Sequence, residues 1–221
     1  MTRPVEPVLT NLRQQLLRMG SLAEAILEKS LQSLWRLDVA LAREVKIDDL
    51  EIDRLDIAID DLVLRILATQ APVADDLRNV IACKMIATDL ERVGDLARNI
   101  AKSAERLATR ASVETPPRLR TLAEEAQRIL RRALDAFSEH DSARATDVLA
   151  DDDQVDADED AVIRSAIEEI ATHPEFTAQE VDFILIAKNL ERVADHATNI
   201  AEDVILATQA RNVKHAAKLL A

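Results

Sequence analysis

An internal repeat is the feature that most constrains the fold of this chain. Residues 89–101 read DLERVGDLARNIA and residues 189–201 read NLERVADHATNIA, so nine of thirteen positions are identical at an offset of 100. Further towards the N-terminus the offset becomes 103, which indicates three extra residues in the first copy near 70–80, where a loop is expected. A repeat of this period implies two copies of one structural unit. We therefore predict domains at 1–110 and 111–221.

Each copy is predicted to form three long helices. From the spacing of apolar residues we expect helices at 6–36, 39–69 and 74–108, and then at 117–139, 142–171 and 177–210. Asp38 and Asp141 are placed to cap the second helix of each copy, and Pro72 and Pro174 interrupt the chain before the third. The stretch 115–117, Thr-Pro-Pro, is predicted to cap and open the fourth helix. The expected architecture is all-α: two tandem antiparallel three-helix bundles with six long helices.

Composition excludes several classes of protein. Two glycines are too few for a phosphate-binding loop or a dinucleotide fingerprint. The single cysteine, Cys83, excludes a disulfide framework and a thiolate zinc site, as expected of a reducing compartment. With 41 Asp and Glu against 28 Lys and Arg, the chain lacks the basic footprint that nucleic acid requires. Since no apolar run reaches the roughly 18 residues of a membrane span, we expect a soluble, intracellular protein, with a peripheral position at a membrane protein as the open alternative.

Acidic side chains follow one face of the second and third predicted helices in each copy. The first copy has Asp49, Asp53, Asp56 and Asp60 in one helix and Glu91 and Asp95 in the next. The second copy has Asp152, Asp156, Glu159, Glu191 and Asp195 at the equivalent positions, with Ile163 in place of the fourth acid. Like charges four residues apart destabilise a helix by about 0.2–0.5 kcal/mol per pair. If the two rows face each other, either Arg and Lys side chains or a cation must lie between them.

A bound cation would meet only oxygen donors in these rows. The acids, together with Asn99 and Asn199 one turn further on, suit hard ions such as Mg²⁺, Mn²⁺, Ca²⁺ or iron. The chain lacks the Glu-x-x-His pairs of ferritin-type di-iron proteins. His196 has Leu96 as its counterpart, so we interpret it as a structural residue. A solvated acidic face remains the alternative, although the repetition of the pattern disfavours it.

Together these motifs resemble the PhoU family of phosphate-signalling proteins. The resemblance rests on the duplicated [DN]-L-E-R-V-x-D-x-A-x-N-I-A helix, on Pro72 followed by Asp-Leu-Arg at 76–78, and on the D-x-x-[IV]-D acids. It implies a cytoplasmic accessory protein of the high-affinity phosphate transport system that restrains uptake and represses starvation signalling. The implied partners are the ATPase subunit of the phosphate ABC transporter and a sensor histidine kinase, and the implied assembly is a homodimer.

The same resemblance implies metal clusters held by E(D)xxxD motifs. One motif corresponds to the pair Glu91 and Asp95, and the other to the pair Glu191 and Asp195. The family's opposing ligands correspond to Asp49, Asp53, Asp152 and Asp156. We add Asp56 and Glu159, which continue the two rows. The expected cofactors are divalent or trivalent ions: Mg, Mn or Fe, with Zn and Ca also in range. Leu96 stands where the first motif of the family usually has His.

Two other functions fit the acidic rows. All-α nucleotide pyrophosphohydrolases also hold Mg²⁺ with helical carboxylates, and a metal-free helical scaffold needs no ion at all. No nucleophile–base set is visible in the sequence, and no basic nucleotide pocket adjoins either motif. We therefore expect a regulatory adaptor and not an enzyme.

Overall fold

The computed structural model describes residues 6–111, 113–150 and 152–214, where the regular structure is entirely helical. The helices are α1 (Glu6–Arg36), α2 (Val39–Gln70), α3 (Asp75–Ala108), α4 (Pro117–Glu139), α5 (Ser142–Val148), α6 (Asp152–Thr172) and α7 (Thr177–Gln209). A short 3₁₀ helix, Pro174–Phe176, precedes α7. The all-α class is confirmed, and five of the six predicted helices have the expected ends to within one residue. None of the helices in the described ranges is long and apolar enough to cross a membrane.

The helix predicted over 142–171 is wrong as a single element. α5 ends at Val148 and α6 begins at Asp152, so the described part of the chain has seven α-helices. The described turn between them is Leu149–Ala150. In the sequence it is followed directly by three consecutive aspartates, at 151–153, whereas the first copy has Asp-Asp-Leu at 48–50. Aspartate favours caps and turns over helix interiors, and neighbouring like charges repel. The second copy therefore divides where the first continues.

Two of the three predicted caps are confirmed. The Asp38 carboxylate accepts hydrogen bonds from the backbone N–H groups of Ala40 and Leu41, at 2.9 and 3.0 Å. Asp141 caps α5 in the same way. The prediction that Thr115 caps α4 is wrong, because the residue before the helix is Pro116 and no side chain caps this end. The proline at the first helical position, 117, is as expected.

Antiparallel packing of α3 against α7 joins the two copies. Near the middle of this contact the Nδ1 atom of His196 lies 2.7 Å from Asp89 Oδ1, and just past the C-terminal end of α3 Arg110 donates to Asp182 Oδ2 at 2.5 Å. α1 and α2 pack on α3, and α4, α5 and α6 pack on α7. One continuous apolar cluster, mostly Leu, Ile, Val and Ala, extends through both copies. The division into domains at residues 110 and 111 stays a prediction.

Among its described side chains, the second copy has four buried acids at positions where the first copy has apolar or small residues. These acids are Asp158, Glu180, Asp182 and Asp203, and their counterparts are Leu55, Val80, Ala82 and Ser103. Arg118 lies 3.0 Å from Asp158, Arg110 lies 2.5 Å from Asp182, and Lys214 lies 3.0 Å from Asp203. The periodicity of the sequence did not reveal them, because they lie within the apolar stripe of their helices.

Asp203 predicts a pH dependence of stability. Burial raises its pKa to about 6, and Lys214 opposes the rise only in part. The folded state thus holds the proton more strongly than the unfolded state, whose carboxyl has its ordinary pKa of 3.8. The free energy of unfolding should therefore fall as the pH rises from about 4 towards about 6 and change little from this group above that.

Replacing Asp203 by Asn should remove part of this fall. Urea unfolding of wild type and Asp203→Asn at a series of pH values measures the difference between their slopes. The exposed Asp135→Asn is the matched control and should keep the wild-type slope. Parallel profiles for wild type and Asp203→Asn would contradict the assignment.

Candidate functional site

In the first copy the acidic rows of α2 and α3 face each other. Asp49 of α2 is only 1% exposed, and its Oδ2 atom accepts a hydrogen bond from Arg98 Nη1 of α3 at 2.5 Å. Arg98 also donates to Asp95, one turn before it in α3. Burial raises the pKa of Asp49, and the guanidinium of Arg98 opposes that rise. One arginine thus links a carboxylate from each helix.

The close approach of the two helices depends on Gly94. A Cβ atom at this position would lie 2.7 Å from Asp49 Oδ1 and 3.0 Å from Ile52 Cδ1. Real carbon–oxygen contacts do not become this short, so a side chain here would push the Asp49 carboxylate out of its place. The second copy has Ala194 at the equivalent position. The glycine in the middle of the first motif therefore has a packing role.

Glu91 lies in a field of negative charge. Burial raises its pKa, Arg92 opposes the rise, and the carboxylates of Asp95, Asp56 and Asp53 add to it. Arg92 contacts Glu91 at 3.3 Å and Asp95 at 3.2 Å. The facing acids of α2 and α3 therefore share one electrostatic environment. We call this set the first acidic cluster: Asp49, Asp53, Asp56, Asp60, Glu91 and Asp95.

A lysine closes one end of the first acidic cluster. Lys84 Nζ lies 3.3 Å from Asp56 Oδ1 and 2.5 Å from Asp60 Oδ1. This side chain of α3 thus contacts two acids that lie one turn apart in α2. Together with Arg92 and Arg98, it supplies the positive charge that opposing acidic rows require. In this copy the counter-charge anticipated from the sequence comes at least partly from basic side chains.

The second acidic cluster lies between α6 and α7 and comprises Asp156, Glu159, Glu191 and Asp195. Its balance of acidic and basic residues differs from that of the first cluster. Burial raises the pKa of Glu191 to about 7, and repulsion from Asp195, Glu159 and Asp156 adds to the rise. Lys188 Nζ lies 3.0 Å from Glu159 Oε1. The basic residues Arg98 and Lys84 of the first cluster are replaced here by Thr198 and Ile184.

Not every sequence-predicted residue can be placed in the clusters. The side chain of Asp152 lies outside the described part of the structure. Asn199 donates to Asp89 of α3 at 3.2 Å, beside His196. Within the described ranges, no three Asp, Glu, His or Cys side chains form a ready-made metal-ligand group. The assignment of metal ligands stays a prediction.

Sequence reasoning missed three basic residues of the clusters. It required Arg and Lys side chains or a cation between the rows but did not identify Arg98, Lys84 or Lys188. Arg98 follows Asp95 at a spacing of three residues, which places the two side chains on one face of the helix, and this was the available signal. The cross-helix contacts of Lys84 and Lys188 depend on the register between helices, which one sequence does not reveal.

Comparison with known proteins places the chain in a family. The model of the PhoU domain matches residues 16–104 and 119–204, which is one match in each copy. A "Phosphate-specific transport system accessory protein PhoU homolog" from Zymomonas mobilis is 36% identical over 205 residues, covering 93% of this chain and 86% of that protein. A protein of the same description from Pseudomonas aeruginosa is 33% identical over 210 residues, covering 94% and 86%. The chain belongs to the PhoU family.

Solved PhoU structures share the whole fold. The crystal structure of PhoU from Pseudomonas aeruginosa matches with a TM-score of 0.90 at 32% identity, covering 94% of this chain and 100% of that one. The structure described as the phosphate transport system regulatory protein PhoU from Streptococcus pneumoniae gives 0.86 at 28% identity, covering 93% and 97%. The family predicted from the duplicated motif is thereby confirmed.

Because Arg98 bonds Asp49, we expect substitutions of the two residues to have coupled effects on the free energy of unfolding. Arg98→Met should lower the free energy of unfolding by about 2 kcal/mol, because it leaves a buried carboxylate without its partner. Adding Asp49→Asn should recover more than half of that loss, since the buried charge is then gone as well. Urea unfolding in the presence of a chelator measures both values.

Arg54→Met is the matched control for this pair. Arg54 also lies beside an acid, but its side chain is 71% exposed, so the change should cost less than about 0.5 kcal/mol. A similar small cost for Arg98→Met would show that the bridge contributes nothing to stability.

Proposed function

We propose that this chain is a regulatory accessory protein of phosphate transport, and not an enzyme. In this proposal it acts in the cytoplasm as a homodimer, restrains phosphate uptake, and links the ATPase subunit of the phosphate ABC transporter to a sensor histidine kinase. The observation that carries the proposal is the match to PhoU accessory and regulatory proteins over nearly the whole length of both chains. The long helices of the two copies offer extended surfaces for such partners.

The proposal includes metal ions at the two acidic clusters. The donor set fits hard cations, since Asp49, Glu91, Asp95, Glu191 and Asp195 offer only carboxylate oxygens. Burial and mutual repulsion raise the pKa of Glu91 and Glu191, and a cation is the group that relieves such repulsion. When bound, the metal would supply positive charge that joins α2 to α3 and α6 to α7 and stiffens each face. Asp53, Asp56, Asp152, Asp156 and Glu159 would complete the ligand sets.

The clusters should differ in metal affinity. Arg98 and Lys84 compete with a cation for the first cluster. The second cluster has Thr198 and Ile184 at those positions and keeps one cross-helix lysine, Lys188 on Glu159, so fewer basic groups compete there. We expect protein purified without chelator to carry Mn, Fe, Mg or Zn, measured by elemental analysis. Asp195→Asn should lose more metal than Asp95→Asn, and the double variant should lose most of it.

The control for these variants is Asp61→Asn with Asp135→Asn. Both are exposed aspartates outside the clusters, and the pair removes the same formal charge as the double variant. It should keep the metal content of wild type. Equal, negligible metal in wild type and in the Asp95→Asn/Asp195→Asn variant would reject the ligand assignment and leave a metal-free scaffold.

The partner assignment is tested by affinity capture from phosphate-replete cells. We expect the tagged wild-type chain to recover the transporter ATPase subunit or a sensor kinase, and chelator to reduce the yield if metal shapes the docking face. Capture of neither protein under either condition would contradict the adaptor function. Pyrophosphate release from nucleotides with Mg²⁺ or Mn²⁺ would favour the pyrophosphohydrolase instead.

A further inference from the structure

Among the buried acids of the second copy named above, Glu180 is the one without an ion-pair or hydrogen-bond partner among the described residues. It is 4% exposed, and no hydrogen bond or ion pair to its side chain occurs within the described ranges. Its counterpart in the first copy, Val80, is fully buried. Two arginines flank the linker at 113–117, and both serve other acids: Arg110 bonds Asp182, and Arg118 bonds Asp158. A mostly buried carboxylate thus lacks a countercharge among the described residues.

Helix capping does not explain this acid. The segment 177–180 reads Thr-Ala-Gln-Glu, which allows a capping box in which the glutamate accepts from the backbone of the threonine. Here the Thr177 hydroxyl donates to the carbonyl of Pro174 at 2.6 Å, and no side chain caps α7. Glu180 instead lines a cavity of about 400 Å³.

This cavity, which we call the linker pocket, lies between the segment joining the two copies, α6, and the start of α7. Its acidic lining residues are Glu114, Glu169 and Glu180, and its apolar ones include Val113, Pro116 and Phe176. Glu114 is exposed at the rim, and Glu169 contacts His173 at 2.8 Å. Burial raises the pKa of Glu180, and Glu169 adds to the rise. The linker pocket is therefore acidic, partly apolar and bounded by three separate elements.

The chemistry of the linker pocket favours an organic cation over a metal ion. Its acids do not form a metal-ligand group, and its volume equals roughly a dozen waters at about 30 Å³ each. Ammonium groups bind buried carboxylates through charge-assisted hydrogen bonds, and an alkyl chain fits the proline, valine and phenylalanine walls. We propose that the linker pocket binds an alkyl polyamine, with one ammonium group on Glu180 and a second towards the acids at the rim.

Calorimetric titration of the full chain with putrescine tests the proposal. Wild type should bind putrescine and show a raised Tm in its presence, whereas butanediol, its uncharged analogue, should do neither. Glu180→Gln keeps the shape of the side chain but removes the charge, and should weaken binding about tenfold or more. Glu175→Gln is the control, because this exposed glutamate lies near α7 but outside the lining of the pocket.

Glu180→Val keeps the test decisive if the glutamine variant folds poorly. It restores the residue of the first copy, so without ligand it should unfold at a higher Tm than wild type, and putrescine should no longer raise that Tm. Absence of putrescine binding by folded wild type, or equal binding by wild type and Glu180→Val, would overturn the proposal. Binding of Nα-acetyl-lysine amide, which has a free side-chain ammonium group, without binding of putrescine would also overturn it. That result would assign the pocket to a lysine side chain of a protein.

Discussion

The antiparallel contact between α3 and α7 is the interaction on which the rest of the structure depends. Both helices carry the duplicated motif, and each also forms one wall of an acidic cluster. Because the apolar cluster runs through this contact into both copies, the core fixes the helix faces that carry Glu91 and Glu191. The acids are held opposite α2 and α6 by packing that they do not themselves provide.

The acidic rows show how a fold accommodates like charges that oppose each other. Arg98 joins Asp49 to Asp95, and Lys84 joins Asp56 to Asp60. These bridges let the first cluster exist without an ion. The second cluster has a neutral residue at each of those two basic positions, and the pKa of Glu191 is raised to about 7. One repeated pattern thus produces two clusters with different demands for positive charge.

Most of the fold followed from the sequence, because helix periodicity, capping aspartates and prolines are local signals. The caps at Asp38 and Asp141 needed only the side chain and the next turn of backbone. The break between α5 and α6 was missed because the apolar pattern continues across it while the three aspartates oppose a helix. The sequence allowed the acidic rows to face each other, as they do in the first copy, but the contacts of Arg98 and Lys84 depend on how α2 and α3 align in space. Buried acids such as Glu180 and Asp182 follow the apolar period, so periodicity alone assigns them no special role.

The unequal distribution of buried acids has a consequence for local unfolding of the two copies. Positions filled by Leu55, Val80 and Ala82 in the first copy carry carboxylates in the second, and buried charge contributes less to stability than apolar packing of similar volume. Backbone amides of α6 and of the first turns of α7 should therefore exchange with solvent deuterium sooner than those of α2 and α3. The two copies of the repeat should thus differ in local stability, with the second copy opening before the first.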